Sequence, residues 1–197
     1  MCKHILFNNF NSDTDFDIIK EFARRSQNES CGYGYIIRTT NGAIEWAKDL
    51  SVEGFYFSLG QRLALGDVAT LVVHHRTSTN KAGVEYAHPF EFKGHYLTHN
   101  GVVSVPGKHN TKTTNDSEAL LHHLIKTNWD TETISGYFSC FVLTNDETIV
   151  LVDDIAPIFT DGRVFSSHKL GDDWYSIQLT RLTLDVSGEL IDVRDVS

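Results

Sequence analysis

The sequence predicts an α+β fold dominated by antiparallel strands, and three observations lead there. Apolar runs of strand length, such as KHILFNN, DVATLVVHHR and GYFSCFVL, recur along the 197 residues. Asn41-Gly42 stands between two apolar-rich runs, YGYIIRTT and AIEWA, a strong hairpin signal. Two segments read as good helices, with apolar residues at helical spacing after residues able to cap.

In chain order, KHILFNN reads as a first strand. DTDFDIIKEFARRSQ reads as a helix after an Asp/Thr cap, with Phe16, Ile19 and Phe22 or Ala23 on one face. The Asn41-Gly42 hairpin follows, then DVATLVVHHR, a buried strand ending on polar residues. GHYLTHNGVVS reads as a strand running into a turn at Asn100-Gly101. NDSEALLHHLIKTNW gives a second helix, capped by Asp116 or Ser117, with Leu120, Leu121, Leu124 and Ile125 sharing a face. GYFSCFVLTNDETIVLVDD, APIFTDGRVFSSH and WYSIQLTRLTLDVSGELIDV supply further short strands, and no internal repeat appears.

Composition is that of an ordinary globular protein, and no linker-like stretch divides the chain, so one domain over residues 1–197 is expected. A net charge of -9 without a basic stripe argues against a nucleic-acid partner. No apolar run is long enough to cross a membrane and the N-terminus lacks a signal peptide's pattern, so a cytoplasmic protein is expected. Cys2, Cys31 and Cys140 form no pairing framework and no CxxC. Cys140 reads as a packed structural thiol, and nothing marks Cys31 for a role.

Cys2 is different because of its position. A small residue after Met1 permits removal of the methionine, which would leave a thiol and an α-amino group on one residue. The amine, with a reference pKa of about 8, can take the thiol proton directly or through water.

Four further segments fall in order behind it: HHRTST at 74–79, EYAHPFEF at 85–92, YLTHNGVVS at 96–104 and NDSEALL at 115–121. Together with Met1-Cys2 they resemble the glutaminase domain of class II glutamine amidotransferases, which are N-terminal-nucleophile hydrolases. The resemblance is clearest over residues 2–168. It implies a four-layer α/β/β/α sandwich of two antiparallel sheets. It also implies that Cys2 attacks the amide carbon of glutamine, with a γ-glutamyl thioester as intermediate. Asn100 and Gly101 would form the oxyanion hole, where one lost donor typically costs about 3 kcal/mol of barrier. Arg76 would hold the substrate's α-carboxylate and Asp116 its α-ammonium. Thr79 would orient the substrate, and His88 and His99 would shape the pocket, His99 against the substrate.

The resemblance calls for no cofactor and no metal. It leaves open free glutamine or another γ-glutamyl small molecule as substrate, and a separate synthase subunit as ammonia acceptor. Two rival readings carry less support. The ten histidines invite a metal-dependent hydrolase, but no HExxH or Cys/His ribbon spacing exists. A catalytically silent binding or regulatory member of the fold is the other rival, against which the retained Cys2, Arg76, Asn100, Gly101 and Asp116 speak.

Overall fold

The computed structural model describes residues 2–26, 31–77, 83–177 and 180–195. One sheet has seven strands: β1 (Lys3–Asn8), β2 (Gly32–Thr39), β3 (Ile44–Asp49), β4 (Val68–Arg76), β9 (Ile158–Thr160), β10 (Val164–Ser166) and β11 (Tyr175–Ile177), ordered β11-β9-β10-β1-β4-β2-β3. The other has six: β5 (Phe90–Phe92), β6 (His95–Ser104), β7 (Ser135–Leu143), β8 (Glu147–Val152), β12 (Thr180–Asp185) and β13 (Leu190–Asp195), ordered β13-β12-β8-β7-β6-β5. The strands of both sheets pair antiparallel with their neighbours. Three helices, α1 (Ser12–Ser26), α2 (Val52–Leu63) and α3 (Asp116–Lys126), complete the elements that frame the site.

Three apolar clusters define four layers. Ile19, Phe22, Phe55, Leu59 and Leu63 of α1 and α2 pack on Ile5, Phe7, Ile37 and Val73 of the first sheet. Leu6, Ile36 and Val72 meet Phe141, Leu143, Val150 and Val152 between the sheets. Leu120, Leu121 and Leu124 of α3 close the far side over Leu97, Cys140 and Val142. Successive strand residues point to opposite faces. A strand with both faces covered is therefore apolar along its whole length, which is why KHILFN shows no alternation.

Several local expectations change. Helix α2 is a third helix beyond the two expected: Phe55, Leu59 and Leu63, spaced i, i+4, i+8, pack on the first sheet and hold it although Gly54 and Gly60 lower its propensity. The cap of α1 is Asn11 rather than the Asp/Thr pair: its Oδ1 accepts from Asp13 N at 2.9 Å, and Asp15 reaches back to Asn11 N at 2.8 Å. The cap of α3 is Asn115, whose side chain accepts from Ser117 N, so Asp116 and Ser117 are already helical. Asn100-Gly101 is no turn: both lie inside β6, paired with Ser139 and Phe138 of β7. Among the described residues no helix is long and apolar enough to cross a membrane.

Candidate active site

Strand register brings the site together. Lys3 of β1 pairs with His75 of β4, and Gly32 of β2 pairs with Arg76, so Cys2 and Cys31 flank the end of β4 on either side. Alternation then points Cys2, His4 and Leu6 toward the second sheet, as it does Val72, His74 and Arg76. Contacts across the sandwich confirm that direction: His4 meets Thr98 Oγ1 at 3.3 Å and Ser139 Oγ at 3.2 Å, and His74 Nε2 lies 3.1 Å from His99 O.

The result is a cavity of about 310 Å³. Cys2, Arg76, His99, Gly101 and Asp116 all line it, together with His88 and Asn115. Five of the seven residues expected from the sequence thus converge on one space. Asn100 is buried beside it, on the face of β6 that looks toward the first sheet, and its Oδ1 has no hydrogen-bond partner. Thr79 lies outside the described residues, as does Met1.

Each group is held by named neighbours. The Cys2 thiol donates to Thr77 O across 3.6 Å, and burial pushes its pKa above the ordinary value. Arg76 is buried, its Nη1 lies 3.2 Å from Cys31 Sγ, and its guanidinium carbon lies 5.9 Å from the centre of the Tyr86 ring. Asp116 opens α3, where negative charge is favoured. Its Oδ2 accepts from Val103 N at 3.2 Å and its Oδ1 from Ser117 N at 3.0 Å, which fixes the carboxylate at the cavity wall. His99 Nδ1 lies 2.8 Å from Ser117 Oγ, and burial lowers the ring's pKa to about 4.

Gly101 is required by space as well as by conformation. Its φ is +144°, a region closed to most side chains, and a Cβ there would lie 2.1 Å from Tyr137 O. Its backbone therefore borders the cavity without a side chain in the way.

Two neighbours of the site went unmarked in the sequence. Cys31 touches Arg76 because β2 runs beside β4, a pairing no local pattern reveals. Asn115 both caps α3 and lines the cavity, and its place before the Asp-Ser-Glu segment was the available signal. Cys140 is fully buried against α3, and burial raises its thiol pKa, as its apolar surroundings suggested. Among the described residues, no three His, Cys, Asp or Glu side chains converge to hold a metal ion.

Two antiparallel sheets between helical layers, with a cysteine just before β1, make the four-layer sandwich fold expected from the sequence. Solved structures of glutamine amidotransferases share this fold. A glutamine phosphoribosylpyrophosphate amidotransferase from B. subtilis superposes with a TM-score of 0.68 at 18% identity, over 100% of this chain and 49% of its own. An allosteric regulatory enzyme of purine biosynthesis gives 0.70 at 18%, over the same shares. A glutamine aminotransferase class-II domain protein from Silicibacter pomeroyi gives 0.60 at 15%, over 100% of both chains. The chain thus spans about half the length of the first two and all of the third. No protein-family model and no curated protein sequence matches it.

Proposed function

We propose that the protein hydrolyses the side-chain amide of glutamine through Cys2, yielding glutamate and ammonia, and that residues 1–197 form one glutaminase-type domain. The observation that carries this reading is the convergence of a thiol, a guanidinium, a carboxylate and a side-chain-free strand residue on one cavity of about 310 Å³.

With Met1 removed, the α-amine of Cys2 takes the thiol proton, and Sγ attacks the amide carbon. The carbonyl oxygen becomes an oxyanion, met by Gly101 N–H and the Asn100 side-chain amide. The tetrahedral adduct collapses, the C–N bond breaks, and the amine proton passes to the leaving nitrogen, giving ammonia and a thioester. Water then attacks the same carbon, the C–S bond breaks, and glutamate leaves with the thiol restored. Arg76 pairs with the α-carboxylate in two parallel hydrogen bonds, and Asp116 with the α-ammonium. Opposite charges at two walls read a zwitterion, and a separate ammonia-consuming synthase is the partner this chemistry serves.

The test is intact mass before and after exposure to 6-diazo-5-oxo-norleucine, a glutamine-shaped electrophile. A chain lacking Met1 that gains one adduct, lost in Cys2→Ala, is expected. Full glutaminase activity in Cys2→Ala would sink the proposal. A processed chain that stays unlabelled yet releases an amine from a larger γ-glutamyl amide would move the substrate to that class.

A further inference from the structure

Strand β13 ends the six-stranded sheet, and among the described residues no strand pairs with its outer edge. An uncovered edge offers a row of backbone N–H and C=O groups to another chain, and sheets avoid this with short or covered end strands. At two other sheet ends, β5 and β11 have three residues each, whereas β13 has six. It is also apolar where it meets solvent: Leu190, Ile191 and Val193 are each more than half exposed. Its irregularity lies at the hairpin end, where Ile191 has no partner on β12, so residues 192–195 stay in regular strand pairing.

The two faces of β13 differ in character. Val193 lies opposite Leu182 and Leu190 opposite Leu184, and both leucines of β12 pack in the cluster between the sheets, so Val193 and Leu190 extend that apolar face outward. Asp192 and Arg194 share the other face, where Arg194 Nε lies 2.7 Å from Asp192 Oδ2. Arg194 stands directly opposite Arg181 of β12, a like-charge pair that a carboxylate on its outer side would relieve.

This pattern is complementary to itself. Two copies of β13 joined antiparallel about a twofold axis perpendicular to the sheet keep their faces, so the axis passes between two copies of one residue. Centred on position 192 or 194, like charges would meet at the axis, and Ile191 is the residue of the irregularity. Centred on Val193, Asp192 faces the partner's Arg194, Arg194 faces the partner's Asp192, and the two valines meet on the apolar face. We propose that β13 is a homodimerisation edge, pairing with a second copy of this chain in the register centred on Val193 and joining two six-stranded sheets into one. The twofold uses both edges at once, so the assembly closes as a dimer instead of growing into a filament. It stands independently of the chemistry at Cys2.

Sedimentation velocity on the full chain, from low to high micromolar concentration, is expected to show a dimer. Arg194→Asp sets carboxylate against carboxylate twice across the interface, and Asp192→Arg sets guanidinium against guanidinium twice. Each variant alone is expected to associate at least about tenfold more weakly, with far-UV circular dichroism and melting temperature near those of wild type. Mixed in equal amounts, the two variants should recover the dimer, because each chain then presents the charges that the other lacks. Mixing would not repair a general loss of edge structure.

Val193→Cys checks the register. Directly opposed residues on antiparallel strands have Cα atoms about 4.5–5.5 Å apart, within disulfide reach, so mild oxidation should link two chains through position 193. Leu190→Cys, far from its own copy in this register, should not link. A wild type that stays monomeric over that range, a dimer indifferent to both charge reversals, or a mixture of the two variants that remains monomeric would overturn the proposal.

Discussion

Two arginines are buried in the same inter-sheet space, at opposite ends of it, and they are not equivalent. Arg38 on β2 is fully covered, and its guanidinium donates to Thr144 O at 3.1 Å, Thr70 Oγ1 at 3.1 Å and Thr148 Oγ1 at 2.7 Å. These partners come from both sheets, so Arg38 ties the sandwich together. Arg76 on β4 is nearly as buried but borders a cavity, beside Cys31 Sγ and the Tyr86 ring. Burial of a charge is therefore no mark of function by itself. What separates the two is whether fixed backbone and hydroxyl acceptors surround the guanidinium or an open space adjoins it.

Substitutions can break this contrast. The largest expected effect is on Arg76→Met. Loss of two charge-assisted hydrogen bonds, about 1.5–3 kcal/mol each, should lower kcat/KM for glutamine about a hundred- to ten-thousandfold. The melting temperature should stay close to that of wild type, and a melt that falls with activity would put Arg76 in the same class as Arg38.

Arg38→Ala should do the reverse. It leaves a hole and three acceptors without their donor, for a loss of about 3 kcal/mol in urea-unfolding free energy, while kcat/KM changes less than about threefold. Gly101→Ala lies between them, since it forces a side chain against Tyr137 O and disturbs the oxyanion donor. It is expected to cost about 2 kcal/mol of stability and most of the activity, and unimpaired turnover would remove Gly101 from the proposed hole.

Acid should expose the same asymmetry, because the Arg76 end holds the buried imidazoles. His99 is lowered by burial to about 4, and His75, behind β4, to about 3. His4, His74 and His88 are also lowered by burial. Above pH 6.5 neither the folded nor the unfolded chain protonates them, and stability is complete. As pH falls through 6.5 the unfolded chain takes up protons that the folded chain refuses, so stability is lost down toward pH 4, by up to about 1.4 kcal/mol per pH unit for each histidine. Urea midpoints measured from pH 7.5 to 4.5 should therefore fall steeply below 6.5, and a flat profile would contradict buried, unprotonated imidazoles.

Asn115→Ala is the smallest of these effects. Loss of the α3 cap should cost about 1 kcal/mol in thermal unfolding, with a modest rise in KM through Asp116.

How much of this was legible in the sequence follows from the range of each interaction. Strands with both faces covered, the Asn41-Gly42 hairpin and the apolar face of α3 are written in neighbouring residues and were readable. So, through ordered family-like segments, was the meeting of Cys2, Arg76, His99, Gly101 and Asp116 around one cavity. Helix α2 was not among the expected elements: Phe55, Leu59 and Leu63 carry helical spacing, but Gly54 and Gly60 weaken the local propensity and packing on the first sheet's apolar face holds the helix. Asn100-Gly101 misled in the opposite sense: a pair that favours turns sits in an extended strand because β7 pairs with it along the whole length. Arg38 and Cys31 carried no signal, since their partners come from strands far away in sequence.

The contact between Cys31 and Arg76 has a practical consequence for anyone who probes the protein with thiol reagents. Cys31 is as accessible a class of thiol as Cys2, and an alkyl group on its sulfur would crowd the guanidinium 3.2 Å away. Inactivation by iodoacetamide is then no proof that the nucleophile was hit, and peptide-level assignment of the adduct, or a Cys31→Ser background, is what makes such labelling interpretable.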